Sequence, residues 1–265
     1  MTRSAALLAL AALLAACTTN PHTGRSQLLL LSEDAEVEMG LEAFAQIGKE
    51  VRWTEDPAYV DPVRRVGKAI AAQAGKPDYQ WEFRVIDDPK TVNAWCLPGG
   101  KIAFYTGIYP ICEDENGMAI VMGHEVSHAL LRHGGERVSQ NIAVQGGLAA
   151  TAVVARNSEH RDVALAALGA GAAVGFLLPY SRKHESEADK FGLMLAARAG
   201  YDPEAAIRVW QNMAKLGGGR PPEFLSTHPD PLRRIEDMRA WMPEARALYA
   251  KSNKQPNRPL PRPSG

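Results

Sequence analysis

The chain has 265 residues, 46% of them hydrophobic, enough to bury a sizeable core in one domain with short terminal extensions. Thirty basic residues balance thirty acidic ones, and no long single-sign run occurs, which excludes the positive footprint that a nucleic-acid partner requires. No internal repeat is present, so a repeat-built binding surface is excluded too.

The chain opens Met1-Thr2-Arg3, runs in Ala and Leu from Ala5 to Leu14, and reads Ala15-Ala16-Cys17. A basic start, a short apolar run and small residues predict an export signal over residues 1–16, too short for the roughly 20 residues of a membrane-spanning helix. Leu14-Ala15-Ala16-Cys17 resembles the bacterial lipobox. That resemblance implies a lipid on Cys17, a membrane partner through it, and a bacterial-envelope address facing the periplasm. The absence of Asp after the Cys favours the outer membrane over the inner. Residues 17–31 then read as a turn-rich tether. In such a compartment Cys96 and Cys112 are either bridged or two small buried thiols.

Ser32 followed by Glu33 and Asp34 predicts a helix start, with apolar positions recurring at Val37, Leu41, Phe44 and Ile47. A second helix is predicted from Asp61-Pro62. Trp81, Phe83 and Val85 alternate as in a strand, and Val92 to Trp95 and Lys101 to Thr106 flank the turn Pro98-Gly99-Gly100. Beyond Glu113 the pattern is helical: a run stopped by Gly134-Gly135, an Ala/Gly-rich stretch, a run from Ser181 to Ala199 stopped by Gly200, and one opened by Asp202-Pro203. Residues 146–154 and 163–178 are very apolar, each shorter than a bilayer span, and read as buried or site-covering helices rather than membrane insertions. The expected class is α+β, mainly helical, with one domain over residues 32–251 and a disordered proline-rich tail over 252–265.

His124-Glu125-Val126-Ser127-His128 falls in a helical run, so the two histidines stand one turn apart on one face and can share an ion. Zn²⁺ accepts neutral histidine nitrogens, and catalytic zinc sites use three protein ligands with a fourth position open to water. Glu125, beside the first ligand, is the expected general base. A third ligand is needed. In His184-Glu185-Ser186-Glu187-Ala188-Asp189, Glu185 and Asp189 share a helix face while Glu187 points away. Glu185 is the candidate ligand, and Asp189 the carboxylate that would accept the spare ring N–H of a ligand histidine. His133, five residues after His128, is turned off that face and reads as structural; His22 and His160 read as incidental.

These segments, together with Asn93-Ala94-Trp95-Cys96-Leu97-Pro98-Gly99-Gly100-Lys101 and the late His228-Pro229 and Arg234-Ile235, resemble the gluzincin metallopeptidase family of the CAAX prenyl proteases and HtpX. Within that family they are most similar to the soluble Oma-type domains and the BepA- and LoiP-type periplasmic lipoproteins. The resemblance covers roughly residues 20–245. It implies a zincin-like domain, one zinc at His124, His128 and Glu185, Glu125 as catalytic residue, and His228 and Arg234 brought to the metal from the C-terminal part. His228 would either donate to a developing oxyanion or fill the open coordination position and silence the site; Arg234 would add positive charge there or buttress the loop.

A peptide substrate also needs its backbone held, and Ile102, Ala103, Phe104 and Tyr105 form either an exposed edge strand that could do so or an internal strand. The expected activity is metalloendopeptidase cleavage of unfolded or misassembled envelope proteins. A chaperone with a latched or secondary peptidase site is the rival, which an intact Glu125 disfavours. A structural zinc site is a further rival, disfavoured because two His and one Glu leave a position open. Oligomeric state has no sequence signal.

Overall fold

The computed structural model describes residues 17–154, 180–216, 223–228 and 231–263, with the side chains of 145–154, Glu223 and Pro231 excepted. The expected leader 1–16, the apolar stretch 163–178 and His160 lie outside these residues. The chain divides into two compact units, one holding described residues 17–39 and 131–154, the other 40–130 and 180–263. A single domain over 32–251 was the sequence expectation; the division places part of that range with the N-terminal segment.

The first unit contains strands β1 (Cys17–Thr19) and β2 (Ser26–Leu28), paired antiparallel. It also holds the start of helix α1 (Glu33–Glu50) and helix α5 (His133–Val154). Residues 17–31 are therefore not the free tether expected from their turn-rich composition. Asn20 and Gln27 are buried, and both side-chain amides donate to the Leu131 carbonyl at 3.2 and 2.9 Å. Polar residues that find partners in this way can be ordered without an apolar core. Cys17 is exposed.

In the second unit, β3 (Trp53–Thr54), β4 (Glu82–Ile86), β5 (Ala94–Leu97) and β6 (Lys101–Tyr105) form a sheet in the order β3-β4-β6-β5. β6 runs parallel to β4 and antiparallel to β5. The edge-strand expectation for Ile102 to Tyr105 is thus corrected: both ladder sides of β6 are taken, Ile102 pairing with Phe83 and with Cys96. An unbroken apolar run such as Ile102-Ala103-Phe104 suits a strand buried on both faces, and all three residues have 0% exposure. Left-handed φ values of 87° and 84° at Gly99 and Gly100 close the β5–β6 turn, a conformation that costs glycine little.

Helix α2 (Pro57–Ala71) starts earlier than Asp61-Pro62 suggested, because Asp56 accepts the Ala58 N–H as N-cap and Pro57 opens the helix. The short α3 (Tyr109–Cys112) leads into α4 (Glu115–Leu130), followed later by α6 (Arg182–Arg198), α7 (Ala205–Lys215), α8 (Glu223–Thr227) and α9 (Pro231–Lys251). α4 ends at Leu130, ahead of the Gly134-Gly135 expected to stop it, where Arg132 takes a φ of 57°. The core of the unit is α4, packed against α2, β5, α6 and α7, with α9 covering α6 and α7. Among the described residues no helix is long and apolar enough to cross a membrane.

The tail is the other correction. Leu260 is buried, its N–H donates to the Glu113 carbonyl at 2.9 Å, the Glu115 N–H donates to the Arg258 carbonyl at 2.9 Å, and Gln255 N–H reaches Gly200. Prolines cannot donate, but they favour extended backbone, and the residues between them remain free to pair.

Cys96 on β5 and Cys112 at the end of α3 are both buried and free, so of the two readings the structure has thiols rather than a bridge. Burial pushes both thiols well above their ordinary range.

Candidate metal centre

α4 and α6 cross at a pair of glycines. A Cβ on Gly123 would lie 2.7 Å from the Gly192 carbonyl oxygen, and one on Gly192 would lie 2.7 Å from the His124 nitrogen. Only bare backbone permits this approach, and it occurs beside the first histidine of the motif. α6 begins at Ser181, whose side chain accepts the His184 N–H at 3.2 Å, so Glu185 and Asp189 sit on successive turns facing α4.

His124, His128, Glu185 and His228, all buried, converge with one ligand atom each within 4.8 Å of the others. His124 Nε2 lies 3.0 Å from His128 Nε2, 3.1 Å from His228 Nδ1 and 3.6 Å from Glu185 Oε2. His128 Nε2 is 3.4 Å from Glu185 Oε1, which is 3.0 Å from His228 Nδ1. A tetrahedral ion bound at about 2.0–2.1 Å requires ligand atoms about 3.3 Å apart, so this nitrogen and carboxylate set fits such an ion. With Nε2 of His124 turned inward, its Nδ1 meets Asp189 Oδ1 at 2.9 Å and Arg234 Nη2 at 3.0 Å. That is the carboxylate–histidine arrangement that orients a metal ligand.

Arg234, on α9, closes the far side of Asp189. Its Nε donates to Oδ2 at 2.7 Å and its Nη2 to Oδ1 at 2.5 Å, while Nη1 is 3.0 Å from Glu185 Oε2. The guanidinium therefore faces the two carboxylates of α6. Burial alone would raise the Glu185 carboxyl; His228 and Arg234 overcome it and hold the group at about 2. Glu125 differs. Burial, reinforced by the Glu185 charge and opposed by His228, brings its carboxyl up to about 7. Its Oε1 has no hydrogen bond among the described residues and stands 3.7 Å from His228 Nε2. A buried carboxylate poised near neutrality is suited to accepting and returning a proton.

Ile102 to Tyr105 do not join this group. The strand bordering α4 is β5, and the charge of Glu125 is felt at Cys96 on it. Among the described residues β5 pairs with no strand other than β6. His133 is buried but outside the converging group.

Aromatic residues around the centre went unread in the sequence. The Tyr180 ring stacks on His128 at 3.7 Å, Phe224 stacks on His228 at 4.5 Å, and Trp210 stands edge-on to His124 at 6.1 Å. An isolated aromatic in an apolar helical stretch carries no sign of whether it packs a core or a site, so no local pattern marks them.

The model of peptidase family M48 matches residues 58–242. The chain is 37% identical over 230 residues to the mitochondrial metalloendopeptidase OMA1 of Schizosaccharomyces pombe, covering 85% of this chain and 66% of that protein. With OMA1 of Saccharomyces cerevisiae it shares 33% identity over 254 residues, covering 88% and 71%. With the beta-barrel assembly-enhancing protease of Escherichia coli it shares 26% over 242 residues, covering 89% of this chain and 49% of that protein. The chain thus spans between about half and seven-tenths of these relatives.

These comparisons correct the address. The leader predicted a bacterial envelope facing the periplasm, whereas the relatives at 33% and 37% identity are mitochondrial proteins. A short basic and apolar leader signals passage across a membrane without specifying which one. The matched segment spans α2 to α9 and every member of the converging group, and the chain belongs to peptidase family M48: it is a metallopeptidase with a mainly helical, zincin-like α+β fold.

Proposed function

We propose that the chain is a zinc-dependent endopeptidase acting on unfolded or misassembled protein chains, with His124, His128 and Glu185 holding the metal and Glu125 as general base. The observation that carries this reading is the convergence of the three donors beside a buried carboxyl brought to about 7. Zinc, when bound, supplies Lewis acidity to the scissile carbonyl and acidifies a water. Glu125, its carboxyl brought to about 7, would accept a proton from the attacking water and return it to the leaving amine. Asp189 would orient the His124 ring; Arg234 opposes the rise that burial imposes on Asp189 and, with His228, holds Glu185 at about 2. The substrate backbone pairs with the side of β5 that no described strand occupies, a mode of recognition that reads extended main chain and so selects unfolded segments.

His228 serves as a latch. Its Nδ1 already lies among the ligand atoms, 3.1 Å from His124 Nε2, and four protein donors would close the position that catalysis needs open. This favours the latch over the oxyanion-donor reading: His228→Ala raises turnover, and a fall would restore the donor role.

The test is cleavage of unfolded casein by wild type and Glu125→Gln, with zinc content measured for both. Zinc in both and cleavage only in wild type is the expected result. Cleavage by both would remove Glu125 from its role, and absence of zinc from wild type would remove the metal.

A further inference from the structure

We infer that Trp210 is a positioning residue for the metal centre, acting through the face of its indole on Arg234. This rests on the zinc reading above and extends it to a residue outside the motifs.

The guanidinium carbon of Arg234 lies 3.4 Å from the Trp210 ring centroid, and Trp210 has 0% exposure. In its own plane Arg234 has little freedom left, because Nε and Nη2 grip Asp189 and Nη1 faces Glu185. Its two faces remain, and the indole covers one. Cation–π attraction strengthens where water is excluded, and tryptophan offers the strongest face among the aromatics. The tilt of the guanidinium sets Asp189, and Asp189 Oδ1 sets the His124 ring from 2.9 Å. The chain of contacts runs from Trp210 to Arg234, to Asp189, to a metal ligand.

The indole nitrogen supplies a second argument. Trp210 Nε1 is buried with no hydrogen-bond partner among the described residues, an arrangement that costs free energy. A core that needed only volume would be better served by Phe or Leu. The ring face is what the site uses, and the polar edge is tolerated.

The experiment measures zinc affinity by chelator competition, and melting of the chelated protein, for the full chain carrying Trp210→Leu or Trp210→Phe, each alone and combined with Arg234→Lys. Lysine keeps the charge and loses the planar face. Trp210→Leu is expected to weaken zinc binding about tenfold, within the range seen when the partner of a metal ligand is removed. Trp210→Phe, which keeps a face, is expected to stay within about threefold. In the Arg234→Lys background the Leu change is expected to cost nothing further. Equal losses in both backgrounds, or Phe failing as badly as Leu, would overturn the inference and leave Trp210 a packing residue. If wild type bound no zinc, the metal reading would fall by itself, and the melting cycle would still decide the coupling: less-than-additive losses support it and additive losses overturn it.

Discussion

Two buried polar clusters, one in each compact unit, use the same kinds of groups to different ends. Around Glu136, Arg25 reaches both carboxylate oxygens at 2.7 and 2.6 Å, the Gln27 amide donates at 2.9 Å, and Gln140 adds a bond at 3.3 Å. Around His124, an equally buried set of carboxylates, imidazoles and one guanidinium leaves Glu125 Oε1 with no hydrogen bond among the described residues and its carboxyl raised to about 7. A closed network holds a chain segment in register; an open one keeps capacity for a proton or an ion. Burial and charge do not by themselves separate a site from a scaffold, whereas unspent bonding capacity does.

The largest effect is expected from Glu185→Ala, which removes the only carboxylate among the converging donors. Metal content should fall from one per chain to near zero and cleavage should vanish, both checked on one sample by metal analysis and casein assay; retained zinc would show that His228 can replace the carboxylate. Asp189→Asn should leave the ligands in place while loosening them, weakening zinc about 10- to 100-fold. It should also destabilise the chelated protein by about 3 kcal/mol, because Arg234 keeps a single buried counter-charge. Urea melts and chelator competition measure the two losses separately.

Glu136→Ala tests the closed cluster. Arg25 is 12% exposed at its side chain, so the loss should be about 2–3 kcal/mol with zinc affinity unchanged. A parallel drop in zinc affinity would break the distinction between the clusters. Leu260→Ala should cost about 1–2 kcal/mol and raise proteolytic sensitivity after Lys254, since that leucine is the buried anchor of the tail; no effect would return the tail to the disorder its composition suggested. The smallest effect is a null one. At pH 8 a thiol reagent should leave Cys96 and Cys112 unmodified in the native protein and modify both in urea, because burial holds them protonated.

Much of the architecture was legible because it rests on local rules. Ser181 and Gly200 bracket α6 as an N-cap and a left-handed stop, and the Pro98-Gly99-Gly100 turn joins two strands as its residues require. The donors were legible for the same reason: spacing along a helix determines which side chains share a face. β6 was open to two readings, since alternation and apolarity describe a strand's faces and say nothing of how many neighbours its edges have. The N-terminal segment and the proline-rich tail were misread through composition, which measures apolar surface and cannot count hydrogen bonds to residues distant in the chain, such as Gln27 to Leu131 or Leu260 to Glu113.

By itself the sequence determined the helices, the pair of histidines one turn apart, the glutamate beside the first of them and the placement of Glu185 and Asp189 on one face of α6, because each follows from the 3.6-residue period of a single segment. Only the tertiary structure decided that Gly123 meets Gly192 closely enough to join the two helices, that both sides of β6 are paired, and that Trp210 joins Arg234 and His228 around His124. Those outcomes depend on which segments touch, and contact between distant segments is set by the packing of the whole core rather than by any local pattern.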